Sequence, residues 1–427
     1  MIKKAISSFK SKRKALESLS IYLTTSFLAK SLSFLLLPWF TNYLSPTDFG
    51  VINLFSGGIT FLTPLIAMGV IYNLSIDYYK IKYEENIQKV YHGILIAIFI
   101  SVCVFLLVLL FAKQIEQNFH IPITFIYYIP IVALMNFLFD LLTLIYRLEE
   151  KPYLFSMLVI SKLLIELGLS YILIKFLNLG LEGRIDGIAI SFIISFCFII
   201  SYLIKNRKVT FNFNLQNFKD DFKLGAIGII SQTSVFVLFS SDRFIISYIL
   251  GNKETGIYSI GGSFAFILIA VISACLNYFT PKFYKSLSEK NFISFRSNFK
   301  YYAIIISIAT LLIIIITPFI FHYFINIQFY SGLKIFFILI GGIFLWSFTN
   351  VFINLMWFFK MKKEIVIFSL ISILFHIILL IIGTAIWSIQ GTAFTIILSN
   401  LTLFIIYFKI ISKPLLKIRD EAIRQNN

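Results

Sequence analysis

The chain has 427 residues, of which 59% are hydrophobic and 13% are charged. With a mean hydropathy of +0.90, this exceeds what a soluble core of that length can bury, which excludes an ordinary soluble domain. The formal charge of +17 is carried by Lys and Arg in short segments between apolar stretches of about 20 residues. That pattern is typical of membrane topology and not of nucleic-acid binding.

Apolar windows predict twelve membrane-spanning helices. The first six lie near residues 18–44, 49–74, 91–112, 122–146, 154–176 and 186–204. The second six lie near residues 224–250, 256–280, 299–325, 333–358, 364–387 and 390–410. The first apolar run is too long for a signal peptide and has no small-residue cleavage site, so we expect it to remain as a span.

The distribution of basic residues predicts the orientation of the spans. Most Lys and Arg fall in segments that are cytoplasmic if both termini are cytoplasmic, as the positive-inside rule requires. The outer side would then carry only Lys113, Lys175, Arg184, Lys253 and Lys334. No connecting segment between spans is long enough to form a folded domain, so the function is expected to reside within the bilayer.

Self-comparison predicts two six-span halves. Tyr43–Leu54 resembles Ile249–Ile260, and each is a short turn with an acid two residues before a glycine. Halves with an even number of spans are related by an axis along the membrane normal, with a cavity between them, as in many transporters. The predicted parts are a basic cytoplasmic N-terminus, an N-lobe, a cytoplasmic linker, a C-lobe and a cytoplasmic tail at residues 1–17, 18–204, 205–223, 224–410 and 411–427.

Ionisable residues inside spans are candidate functional groups, because a charge at mid-bilayer costs about 2.5–3.5 kcal/mol on insertion scales. Those residues are Lys30, Asp140, Lys162, Glu166, Asp242, Arg243 and His376. Lys162 and Glu166 share a helix face, so a purely structural ion pair is an open alternative to a functional role. Lys30 is the strongest candidate for a cation facing water, with pairing to Asp140 as the alternative.

Two further positions need partners from elsewhere in the fold. Asp242 and Arg243 are adjacent and point about 100° apart on a helix, so they cannot pair well with each other. His376 has no second histidine beside it, and a hydrogen-bonded packing role is the better interpretation.

The sequence carries no motif for catalysis or cofactor binding. Cys103, Cys197 and Cys275 have no CxxC spacing or neighbouring histidine, so we predict neither a disulfide nor a metal site. There is no Walker A loop, dinucleotide-binding loop, HExxH or GxSxG. The chain is therefore expected to work without a cofactor and not as an enzyme.

Two segments carry a family resemblance. Leu36–Leu54 is similar to the segment joining spans 1 and 2 of Wzx-type flippases, bacterial polysaccharide transporters in the MATE-like MOP superfamily. Ser241–Ile260 resembles the corresponding segment of spans 7 and 8. The likeness covers these stretches by motif and nearly the whole chain by span layout.

The resemblance implies a flippase of the bacterial cytoplasmic membrane that moves an undecaprenyl-pyrophosphate-linked oligosaccharide, an O-antigen or capsule repeat unit, by alternating access without ATP. Lys30, Arg243 and Lys162 would then form a cationic cavity for the pyrophosphate, since buried anions need cationic partners. Asp140, Glu166 and Asp242 are the candidates for coupling to H⁺ or Na⁺. A polysaccharide polymerase and a chain-length regulator are the implied protein partners.

Three alternatives remain open from the sequence. A MATE-type exporter of small cations would need more acids than bases in its cavity, and the numbers here are equal. A membrane-embedded polymerase would be expected to carry a large outer loop or an acidic catalytic motif, which the sequence lacks. The third alternative is a scaffold for a polysaccharide assembly complex, in which the intramembrane charges are structural.

Overall fold

The computed structural model describes residues 17, 20–22, 24–29, 31–79, 82–206 and 240–426. Within these ranges every regular element is helical, and no strand occurs. Ten helical stretches among the described residues are long and apolar enough to cross a membrane. The predicted all-α polytopic membrane protein is therefore confirmed.

Chain contacts divide the protein into two compact units. The first contains the described residues up to Leu44 and those from Val51 to Ser240, and the second contains Ser45–Gly50 and Ser241 onward. The predicted lobe boundaries adjoin or fall within residues 207–239, which lie outside the described part, so they stay a prediction.

The helices of the first unit follow one another with short connections. Residues 20–29 and 31–35 are helical wherever they are described. The helices that follow are α1 Leu37–Tyr43, α2 Pro46–Ala67, α3 Val70–Asp77, α4 Tyr83–Phe119, α5 Ile123–Leu148, α6 Pro152–Lys175 and α7 Gly180–Asn206. Helices α2 and α6 begin with proline, which suits the first helical position because its missing N–H would have no intrahelical partner.

The second unit has the same character. Residues 240–250 are helical and lead into α8 Asn252–Ala265, α9 Ile267–Ser288, α10 Phe292–Phe324, α11 Gly332–Phe358 and α12 Lys362–Asn426. Helix α12 is broken at Trp387 and Ser388, and this break separates the predicted spans 364–387 and 390–410. The predicted span 224–250 lies mostly outside the described residues.

Three tight turns between long helices share one geometry. Glu150, Lys290 and Lys360 each adopt a positive φ, of 52°, 53° and 59°. The next backbone N–H bonds a carbonyl five residues back, as in Lys151 to Tyr146 at 2.8 Å. This arrangement satisfies carbonyls that a helix end leaves unpaired, which allows the chain to reverse within a few residues.

Helix faces directed away from the cores are apolar. On α10, Ile308, Leu312 and Ile316 recur every four residues and are each about half exposed, with fractions of 52%, 52% and 51%. A continuous aliphatic stripe of this kind would be unfavourable in water and is suited to lipid.

The predicted repeat corresponds to a close packing contact within the second unit. A Cβ atom added to Gly256 would overlap the carbonyl oxygen of Pro46, and one added to Gly50 would overlap that of Asn252. These residues are repeat equivalents: Pro46 corresponds to Asn252, and Gly50 to Gly256. The first turns of α2 and α8 therefore cross reciprocally at two glycines.

The acid of the first repeat caps its helix. Asp48 Oδ2 accepts hydrogen bonds from the Ser45 backbone N–H at 2.9 Å and from its hydroxyl at 2.8 Å. The Asp48 backbone N–H donates back to Ser45 Oγ at 3.2 Å. This reciprocal cap begins α2 at the residue where it crosses α8.

Candidate functional site

The charged residues of the first unit meet on one face of α6. Lys162, Glu166 and Ser170 are spaced four residues apart, which places them in one row along the helix. Lys162 Nζ lies 2.6 Å from Glu166 Oε2, and Arg184 Nη2 of α7 lies 2.8 Å from Glu166 Oε1. Lys162, Glu166 and Arg184 thus form one ion network, which joins two neighbouring helices.

Each cation of the network has a second partner. Arg184 Nη1 donates to Ser170 Oγ at 2.8 Å, and its guanidinium lies 4.8 Å from the ring centre of Phe40. Lys162 Nζ lies 3.9 Å from the ring centre of Phe192. Aromatic faces stabilise cations electrostatically, so both positive groups are held by more than the carboxylate.

Two glycines allow α7 to approach α6 closely enough for this contact. A Cβ on Gly187 would overlap the hydroxyl of Ser170, and one on Gly183 would lie 3.0 Å from Leu173 Cβ. Small residues at such spacing let membrane helices pack at short distance. Arg184 lies between the two glycines and can therefore reach Glu166.

The network is mostly enclosed and carries excess positive charge. Its side chains are exposed by only 14% at Lys162, 12% at Glu166 and 16% at Arg184. Two cations face one carboxylate, so one positive charge is not balanced within the network. A partly enclosed site with that charge is suited to an anionic group.

Asp140 and Lys30 are the other predicted site residues of the first unit. Asp140 of α5 lies where the charges of Arg147 and Lys162 act on it, next to the ion network. Lys30 lies outside the described residues, so neither its cavity role nor its pairing with Asp140 is tested.

In the second unit, Asp242 is buried, with 3% of its surface exposed. Its carboxylate accepts hydrogen bonds from the Tyr258 hydroxyl at 2.7 Å and from the Arg243 backbone N–H at 2.8 Å. The Arg243 guanidinium lies 5.5 Å from the ring centre of Phe266. The two side chains therefore take different partners, as their angular separation predicts.

His376 is buried, with 3% of its surface exposed. Its Nδ1 lies 2.9 Å from Ser399 Oγ, which joins the two halves of α12. Across the described residues, no group of three His, Cys, Asp or Glu side chains is arranged to hold a metal ion.

Sequence reasoning missed three residues of these clusters: Arg184, Ser170 and Tyr258. The apolar window that begins at 186 predicts Arg184 in an outer loop or at its edge, whereas α7 begins at Gly180. The spacing of Gly183 and Gly187 was the available signal that a helix packs closely at this point.

Comparisons with known proteins give the family and the fold. Residues 15–285 match the family described as polysaccharide biosynthesis protein. A multidrug resistance MATE family transporter of the MOP superfamily, in an inward-facing conformation, is similar with a TM-score of 0.73 and 15% identity, covering 95% of this chain and 99% of that one. A MOP superfamily transporter from Pyrococcus furiosus is similar with a TM-score of 0.58 and 14% identity, covering 95% and 96%.

A third similar structure is a MATE family transporter in an outward-facing conformation, with a TM-score of 0.54, 15% identity and coverage of 95% and 96%. Identities this low show the fold alone, and the predicted MATE-like fold is confirmed. Among curated proteins, none matches the chain.

Proposed function

The chain belongs to the polysaccharide biosynthesis protein family, and we propose that it is a flippase for an undecaprenyl-diphosphate-linked oligosaccharide. Its family and its MATE-like fold point to a transporter rather than an enzyme. The proposed cargo is an O-antigen or capsule repeat unit, carried across the bacterial cytoplasmic membrane by alternating access.

The observation that carries the proposal is the ion network of Lys162, Glu166 and Arg184. A diphosphate is a compact anion, and Arg in particular recognises phosphate oxygens with its planar fork of N–H donors. A cationic, partly enclosed site inside a membrane helix pair lowers the cost of moving such a head group through the bilayer. The lipid tail can remain in the hydrocarbon while the head group crosses.

The charge of the network also separates this proposal from its alternatives. An exporter of small cations needs a site with excess negative charge, and even with Asp140 counted beside the network the acids do not outnumber the cations. A polymerase needs groups that act on a glycosidic bond, such as a pair of carboxylates with room for the acceptor. In the network the single carboxylate is already bonded to two cations.

The proposal also includes the orientation of the chain in the membrane and the ion that drives transport. Both termini are placed in the cytoplasm, on the basis of the positive-inside distribution of Lys and Arg. Coupling to H⁺ or Na⁺ is assigned to Asp140 and Asp242, because Glu166 is engaged by two cations. A polysaccharide polymerase and a chain-length regulator are the proposed partners on the product side.

Deletion of the gene in its host tests the proposal. We expect the lipid-linked oligosaccharide to accumulate on the cytoplasmic leaflet, as detected by leaflet-specific labelling, and wild-type protein to restore export. Lys30→Gln and Arg243→Gln test the other two proposed cations and are each expected to reduce export. Lys253→Gln, which changes an exposed lysine of α8, is the matched control and should export normally.

Two outcomes would contradict the proposal. If the glycan crosses the membrane in the deletion strain but remains unpolymerised, the protein acts after translocation. If both variants export normally at wild-type protein level, Lys30 and Arg243 are not part of the substrate site.

A further inference from the structure

We propose that Glu166 is a built-in competitor for the substrate anion: its carboxylate occupies Lys162 and Arg184 in the empty protein, and the diphosphate of the cargo displaces it. This inference rests on the proposed function and assigns to Glu166 a role other than ion coupling.

The geometry of the carboxylate supports the proposal. Each oxygen of Glu166 bonds a different cation, Oε2 to Lys162 at 2.6 Å and Oε1 to Arg184 at 2.8 Å. A phosphate group offers the same arrangement, with separate oxygens that can each accept from one cation. The carboxylate therefore stands where a bridging anion from the cargo would bind.

The second partners of Lys162 and Arg184 hold these cations in place while the cargo anion replaces Glu166. If Glu166 leaves, Arg184 is still bonded to Ser170 and packed on Phe40, and Lys162 still lies against Phe192. The two positive groups are thus preorganised for a new anion and need not be rebuilt around it. Preorganisation of this kind lowers the cost of binding.

Competition from Glu166 also weakens binding of the cargo, which helps the cargo to leave the site. Without Glu166, Lys162 and Arg184 would lack a directly bonded counter-ion, which would be costly before the cargo binds and would hold a diphosphate too tightly to release it. The Glu166 carboxylate reduces both costs. It balances one positive charge before the cargo binds, and it returns to Lys162 and Arg184 as the cargo leaves. Binding must be weak enough for the cargo to depart if the cycle is to turn over.

Binding of farnesyl diphosphate to purified protein in lipid nanodiscs tests the proposal. We expect Glu166→Gln to bind this probe at least about tenfold more tightly than wild type, within the usual range of coupling between sites. This increase in affinity for farnesyl diphosphate should disappear in the double variant that combines Glu166→Gln with Arg184→Gln. Glu182→Gln, which removes an exposed carboxylate of α7 two residues before Arg184, should bind as wild type does.

A second measurement uses the wild-type protein and so avoids any loss of folding in the variants. Farnesyl diphosphate is expected to increase carbodiimide labelling of Glu166, measured by mass spectrometry, because displacement frees the carboxylate from its two cations. No increase at saturating probe would overturn the proposal.

The remaining outcomes separate this inference from the proposed function. If folded Glu166→Gln binds the probe no more tightly than wild type, and Arg184→Gln binds it more weakly, the anion site stands and the competitor is wrong. If wild type binds farnesyl diphosphate no better than farnesol, both the competitor and the proposed anion site fail.

Discussion

Replacing Gly256 with alanine is expected to destabilise the second unit by about 1–3 kcal/mol, the usual cost of overpacking a filled core. The added methyl group would overlap the carbonyl oxygen of Pro46, which belongs to the backbone and cannot move aside as a flexible side chain can. The first turn of α2 would have to shift away from α8. Thermal unfolding of the purified protein in detergent measures the effect.

Gly262→Ala is the matched control on the same helix. Its added methyl group would meet only side-chain atoms, with Phe266 Cε2 at 3.6 Å and Leu339 Cδ1 at 3.7 Å, which is ordinary van der Waals contact. We expect this variant to unfold near the wild-type temperature. Equal unfolding temperatures for the two variants would show that the crossing of α2 and α8 is not a tight backbone contact.

Arg184→Gln is expected to reduce glycan export at least about tenfold, because hydrogen bonds to charged groups are worth about 1.5–3 kcal/mol. The substitution leaves Lys162 and Glu166 as a neutral pair, so the network no longer carries excess positive charge for the cargo. Arg184→Lys should restore only part of the activity, since an ammonium group lacks the fork that bonds Glu166 and Ser170 together. Complementation of the deletion strain measures export at matched protein level.

Lys175→Gln serves as the control for this series. Lys175 ends α6, is exposed, and bonds the Tyr171 hydroxyl rather than the ion network. Its replacement removes the same charge from the same helix hairpin and should leave export unchanged. If Arg184→Gln and Lys175→Gln both export glycan as well as the wild-type protein does, the ion network is not part of the substrate path.

The layout of the spans was predictable because the bilayer imposes a length on apolar segments. The predicted span 122–146 is the helix Ile123–Leu148, and 333–358 is Gly332–Phe358. Helix ends were less predictable where charged residues continue the helix beyond its apolar part. At α7 the residues Glu182, Arg184 and Asp186 lower the hydropathy, so the start at Gly180 was missed.

The pairing of Lys162 with Glu166 followed from their spacing, whereas the third member of the network did not. Arg184 reaches Glu166 from another helix, and that depends on how closely α6 and α7 pack. Tyr258 is similar, since its hydroxyl meets Asp242 across the turn at Gly251. A single sequence indicates which faces are polar, but contacts between helices depend on tertiary packing.

The repeat was detectable by self-comparison, but its physical meaning was not. The sequence shows an acid two residues before a glycine in each half, and the fold explains the two glycines and the first acid. Asp48 caps α2, and the two glycines remove the side chains that would keep α2 and α8 apart. The glycines shared by the two repeats thus reflect a packing requirement.

The proposed flippase activity can be measured with purified protein in liposomes that contain a fluorescent undecaprenyl-diphosphate-linked oligosaccharide. A membrane-impermeant quencher reports the label in the outer leaflet, and label that flips outward during the assay is quenched as well. We expect wild-type protein to make nearly all the label accessible, whereas Arg184→Gln should leave the inner-leaflet label protected. If folded wild-type protein leaves the inner-leaflet label as protected as in protein-free liposomes, under an imposed H⁺ or Na⁺ gradient as well as without one, the protein is not a flippase for this class of lipid.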